Sequence, residues 1–202
     1  MAHATQPNMI GQRAALPQAR PGGAARFLLA FAALVAAFAL PWWTITMNGP
    51  QYPGGLHVTT GFFSVSGDWH EVDGLNHYIG FMPLGQIAHV ERQLAFLLGP
   101  FIALALLIPV FVRGRLAALA ALPTIALPAF FVIDLAAWLA YAGNHLDPHA
   151  ALSSSVAPWT PSLFGPGGVG QFTTMSRFGS GFILAIVAAA LAAWAVVARL
   201  RS

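Results

Sequence analysis

Four long apolar runs, joined by two polar stretches and one arginine-bearing turn, leave this chain few ways to fold. They predict helices at about 27–46, 94–112, 116–142 and 178–198. Each run is close to the roughly 20 apolar residues that a bilayer crossing requires. Charged residues make up 7% of the chain and hydrophobic ones 57%, whereas soluble domains carry about a quarter charged residues. The expectation is an all-α membrane protein, a single membrane domain over 1–202 with four transmembrane helices. Two periplasmic loops, at about 47–93 and 143–177, would form a small cap, with a short β-hairpin allowed in the first. Residues 1–25 show no periodicity and read as a flexible cytoplasmic tail. The first run exceeds the 7–15-residue core of a cleaved signal peptide, so it is expected to stay as an anchor.

Arginine sets the expected orientation. Arg13, Arg20 and Arg26 precede the first run, Arg113 and Arg115 sit between the second and third, and Arg199 and Arg201 follow the fourth. By the positive-inside rule these segments face the cytoplasm, with both termini inside a bacterial inner membrane. The opposite side then holds five of the six acidic residues and six of the seven histidines. Trp42, Trp43, Trp138 and Tyr141 fall near outer helix ends, where interfacial aromatics belong. All nine basic residues are arginine and none forms a basic face, which argues against nucleic-acid binding. With no cysteine, disulfides and thiolate metal sites are excluded. Ala32/Ala36, Ala33/Ala37 and Ala185/Ala189/Ala193 are small-residue seams that would let helices, or copies in an oligomer, approach closely.

In the first outer loop, Leu56 to Ser66 reads as a strand or hairpin arm broken at Gly61. Gly67-Asp68 signals a turn, with Asp68 placed to cap a short helix over Trp69–Tyr78 that Gly80 and Pro83 end. Helical spacing puts His70, Asp73 and His77 on one face. Two imidazoles and a carboxylate can hold a divalent transition metal. Met47, His57 and His89 are further donors in the same loop. The same side chains serve equally well as helix caps and carbonyl partners.

The series Met47, Pro50, Tyr52-Pro53, Gly55-Leu56, Gly67-Asp68, Glu71-Val72 and Leu75-Asn76-His77-Tyr78-Ile79-Gly80 resembles a loop signature of a poorly characterised bacterial family of multi-pass membrane proteins. Members of that family often lie near copper-handling accessory proteins of the nitrous-oxide-reductase type. The resemblance implies copper as the metal, with His77 its first candidate ligand, and gives Tyr52, Pro53, Gly67, Asp68, Asn76, Tyr78 and Gly80 the role of a structural signature. Phe81 stands where the family pattern has methionine, and Met82 follows it.

The second outer loop carries His145, Asp147 and His149 around Pro148, then a glycine- and proline-rich stretch that reads as tightly turned. His145 or His149 could join His77 in one site, or the loops could simply meet as a cap. Asp134 is the only acid within a run, about 13–15 Å below the outer helix end at 1.5 Å per residue. It reads either as a proton or cation site or as a hydrogen-bonded acid orienting helices, for example towards Thr124. The functional expectation is a non-enzymatic accessory protein that binds or delivers copper, or docks on a copper-dependent respiratory complex or other membrane or periplasmic proteins. Alternatives are a structural subunit with no metal of its own, or a small transporter or membrane enzyme using Asp134.

Overall fold

The computed structural model of the protein describes residues 22–112 and 114–201. The expectations for residues 1–21, with Arg13 and Arg20, and for Arg113 lie outside the described residues. The helices are α1 (Gly22–Phe38), α2 (Trp69–Ile79), α3 (His89–Ala105), α4 (Ile108–Phe111), α5 (Arg115–Ala118), α6 (Leu122–Asn144) and α7 (Ser180–Leu200). Three continuous helical stretches, His89–Phe111, Arg115–Asn144 and Ser180–Leu200, are long and apolar enough to cross a membrane, and α1 is a shorter apolar helix. Residues 22–25, expected in the tail, are the first turn of α1.

The all-α expectation is overturned by a five-stranded antiparallel sheet. Its strands are β1 (Trp43–Gly49), β2 (Tyr52–Thr60), β3 (Val65–Gly67), β4 (Gly165–Val169) and β5 (Phe172–Phe178), in the order β3-β2-β1-β5-β4. The chain is therefore mixed α and β. Two local causes hid the sheet. The first apolar run does not stay helical to residue 46, because Pro41 blocks helix continuation. The residues after it alternate Trp43-Thr44-Ile45-Thr46-Met47, a strand pattern embedded in an apolar run. In the second loop, the glycine-rich stretch read as tightly turned is β4 and its turn, with Gly170 at φ +57°.

The central strand joins both outer segments. Trp43 pairs with Thr60 of β2 on one side and with Phe178 of β5 on the other. Because α1 leads into β1, β5 leads into α7, and α2 leads into α3, the sheet and α2 sit at one end of the long helices. Period-two alternation sends Trp43, Ile45 and Met47 to one face of β1 and Thr44 and Thr46 to the other. On the inner face, Met47, Leu56, Val58 and Val72 form a small core between the sheet and α2.

A second core runs through the helices. Phe27, Ala30, Leu34 and Ala37 of α1 are wholly buried with Ala188 and Ala192 of α7, beside Trp42. The close α1–α7 approach thus uses alanines, among them Ala37 and Ala185 of the expected seams but not the Ala32/Ala36 pair. Ala32 and Ala36 are exposed, whereas Ala30, Ala37, Ala185, Ala188 and Ala192 are buried. Pro123 lies in the first turn of α6, where no backbone donor is needed, and Pro128 lies inside the helix.

The predicted short helix is α2, but Asp68 caps it differently. Its carboxylate accepts the His57 backbone N–H at 2.8 Å and makes no cap bond to its own helix. Gly67, at φ +86°, lies so close to the His57 carbonyl oxygen that a Cβ would collide with it. Gly80 ends α2 in the left-handed region at φ +75°, its position packed against the Asp147 backbone.

Candidate functional site

A cavity of about 880 Å³ lies where the inner sheet face, α2, α3 and α6 meet. That volume is within the range of small-molecule sites. Trp43, Ile45 and Val58 form its roof, Leu75 and Ile79 of α2 one flank, and α3 and α6 its deeper walls. Two hydrogen bonds tie those walls together. Towards the sheet, Trp138 Nε1 of α6 donates to Glu91 Oε1 of α3 at 3.3 Å. Towards the far end, the Thr124 hydroxyl donates to the Ile102 carbonyl at 3.4 Å. Leu94, Leu98 and Phe130 line the cavity yet are 47%, 48% and 59% exposed.

Three charged residues line this mostly apolar space: Glu91, Arg92 and Asp134. Arg92 donates to the carbonyls of Leu84 and Gly85, which pins the segment between α2 and α3. Glu91 uses Oε1 for Trp138, while its Oε2 is buried and has no hydrogen-bond partner among the described residues. An unmade hydrogen bond at a buried carboxylate oxygen costs about 1–3 kcal/mol or more. Asp134 does not pair with Thr124, whose hydroxyl is taken up by Ile102. At the sheet rim, Tyr52 donates to Glu71 Oε1 at 2.6 Å. The Tyr52 phenol is held above its ordinary pKa, first by its hydrogen bond to that carboxylate, then by desolvation and last by the carboxylate's charge.

The residues singled out as metal ligands are distributed over the surface and the small core. His70 and His77 are exposed on α2; His70 stacks on Trp69, and Asp73 Oδ1 accepts the Leu84 N–H at 2.6 Å. His57 bridges Thr46 Oγ1 at 3.1 Å and the Gly54 carbonyl at 3.3 Å. Met47 is buried in the sheet core. His145 stacks on Tyr141 and shares a hydrogen bond with its carbonyl, while the His149 N–H donates to Asp147. Among the described residues, no group of three or more His, Asp or Glu stands close enough to hold a metal ion.

The loop signature has a visible structural use. Asn76 is buried and its carbonyl accepts the Phe81 N–H at 3.0 Å, closing the end of α2. The Tyr78 and Gly80 carbonyls accept the N–H groups of Leu152 and Asp147, both at 2.8 Å. The run Leu75–Gly80 thus fastens the first outer segment to the second, and Tyr52, also in the signature, lines the cavity. Pro53 lies exposed in β2. Sequence reasoning passed over Glu91 and Arg92 as site residues and read Trp138 only as an interfacial aromatic. The signal that could have found them is a Glu-Arg pair opening an apolar helix, since charges there demand a partner. No protein-family model and no curated protein matches this chain.

Proposed function

We propose that this protein is a membrane-embedded binding protein, not an enzyme, that admits a lipophilic molecule through the gap between α3 and α6. One observation carries the reading: a cavity of about 880 Å³ has mostly apolar walls from α3, α6 and the sheet, with three charged side chains among its lining. Ligand sites of this kind pair apolar walls with a few placed polar groups. In this reading α1 crosses the membrane together with the three longer stretches, since it packs along α7, and Arg26 at its start lies 3.8 Å over the Trp194 ring. Arg26, Arg115, Arg199 and Arg201 lie at the helix ends away from the sheet, so the positive-inside rule places the sheet on the non-cytoplasmic side.

Copper delivery and docking on a copper-dependent complex rest on the histidine, acid and methionine content of the loops and on the loop motif, whereas the cavity reading rests on volume and lining. Mild-detergent purification followed by native mass spectrometry and solvent extraction tests it. The protein is expected to carry a lipophile in stoichiometric amount. Ala95→Phe, which fills the cavity from α3, is expected to lose it while keeping the thermal midpoint. Absence of any lipophile from both proteins overturns the reading.

A further inference from the structure

We infer that the molecule taken up by this cavity is a long-chain amphiphile, its chain lying along α3 and α6 and its polar head at the turns that carry Gln51 and Gln171. This rests on the cavity reading above and adds the shape and polarity of the ligand. The cavity is longer than its volume requires. Helix α6 lines it at points from Pro123 to Leu139, and α3 from Glu91 to Ile102. At 1.5 Å per residue these stretches run for about 24 and 17 Å. A sphere of 880 Å³ would be about half as wide as the longer of them. The space is therefore a slot along the helix axes, and a compact molecule would leave much of it empty.

Polarity changes along that slot. The end away from the sheet is lined by apolar side chains: Leu98, Ile102, Pro123, Ala126 and Leu127. The opposite walls are the sheet and its connections. Trp42 meets Phe131 with ring centroids 4.9 Å apart, which sets the start of β1 beside the middle of α6. From Trp43, β1 runs about 20 Å, at roughly 3.3 Å per residue, to the turn holding Gln51. Gln171 lies in the β4–β5 turn at the same end of the sheet, since Asn48 pairs with Thr173. Gln51, Gln171 and Ser155 line the cavity and are exposed. Their amides and hydroxyl can donate and accept hydrogen bonds. An amphiphile matches both ends at once, chain to the apolar end and head to the amides. A molecule apolar throughout would strip water from those amides without replacing its hydrogen bonds.

Photolabelling reads both ends. Two forms of one long-chain alcohol, with a diazirine at the chain end or beside the head, are added to the full chain in nanodiscs of choline and glycerol lipids. After photolysis, labelled peptides are sequenced by mass spectrometry. The chain-end probe is expected to label α3 and α6 around Ile102 and Pro123, and the head probe the turns holding Gln51 and Gln171. Lipid outside the protein does not reach those turns, which lie a strand's length beyond the start of β1. Ala126→Phe, at an exposed position of α6, narrows the apolar end and should abolish chain-end labelling there while the thermal midpoint holds. Undiminished labelling in that variant overturns the inference, as do labels at the reverse ends or from both probes at one end. Each of these results leaves the cavity reading standing. Labelling of cavity residues no greater than in Ala95→Phe, for both probes, overturns the two together. The mass of the molecule carried from the cell membrane then assigns the source. A bilayer phospholipid and a separate chain-bearing amphiphile each support the class, and a compact molecule without a chain overturns it.

Discussion

The two antiparallel helix pairs of this protein are built on opposite plans. Helices α1 and α7 close on each other through alanines, and Ala30, Ala37, Ala188 and Ala192 leave no exposed surface. Helices α3 and α6 are held by one hydrogen bond towards each end and stay apart between them. Small side chains let backbones meet and gain dispersion contacts along their length. In the other pair Leu98, Phe130 and Phe131 border a space that the described side chains do not fill. One pair acts as the scaffold and the other as the receptacle.

The contrast breaks most visibly if bulk is added to the tight pair. Ala188→Leu forces methyl groups into a wholly buried seam and should cost about 3 kcal/mol, measured as a lowered thermal midpoint in detergent. Next in size is Gly67→Ala at the sheet edge. Its positive φ and its approach to the His57 carbonyl should make the change cost about 2 kcal/mol. Trp138→Phe removes the bond that closes the sheet end of the open pair. It should cost about 1–2 kcal/mol and weaken retention of the proposed ligand. Ala95→Leu sharpens the comparison from the other side. The cavity has room for the added atoms, so stability should change by less than about 1 kcal/mol, against the much larger loss at Ala188.

The smallest effect is at the cavity rim. Because Glu71 raises the Tyr52 pKa, the fold favours the protonated phenol. That contribution is complete below the unfolded value near 10 and is lost as pH rises through the higher folded value. Ultraviolet titration should therefore show one tyrosine ionising late, and Glu71→Gln should return it towards the others. A late transition that survives Glu71→Gln would assign the shift to burial instead.

Much of the helical layout was legible from local pattern. The apolar runs mark the helical stretches Arg115–Asn144 and Ser180–Leu200 to within a few residues, and His89–Phe111 apart from its early start, while the Gly67-Asp68 and Gly80 signals bracket α2. The first helix was overextended because Trp43, Ile45 and Met47 are as apolar as the helix before them, and only Pro41 and the intervening threonines reveal the strand. The histidine spacing on α2 is real, yet spacing cannot tell that Asp73 will accept the Leu84 N–H or that His70 will lie on Trp69.

What the sequence determined by itself was the set of apolar helices, the side on which most acids and histidines gather, and the glycines at turns with positive φ, because these depend on composition and near neighbours. Only the tertiary structure decided the sheet and the cavity. Strand β1 pairs with β5 across most of the chain's length, and β4 is so rich in glycine that it has almost no side-chain pattern to read. The cavity exists because α3 and α6 stand apart while α1 and α7 close, a difference set by which faces meet after folding. Glu91 and Asp134 lie far apart in sequence and reach one space only when that has happened.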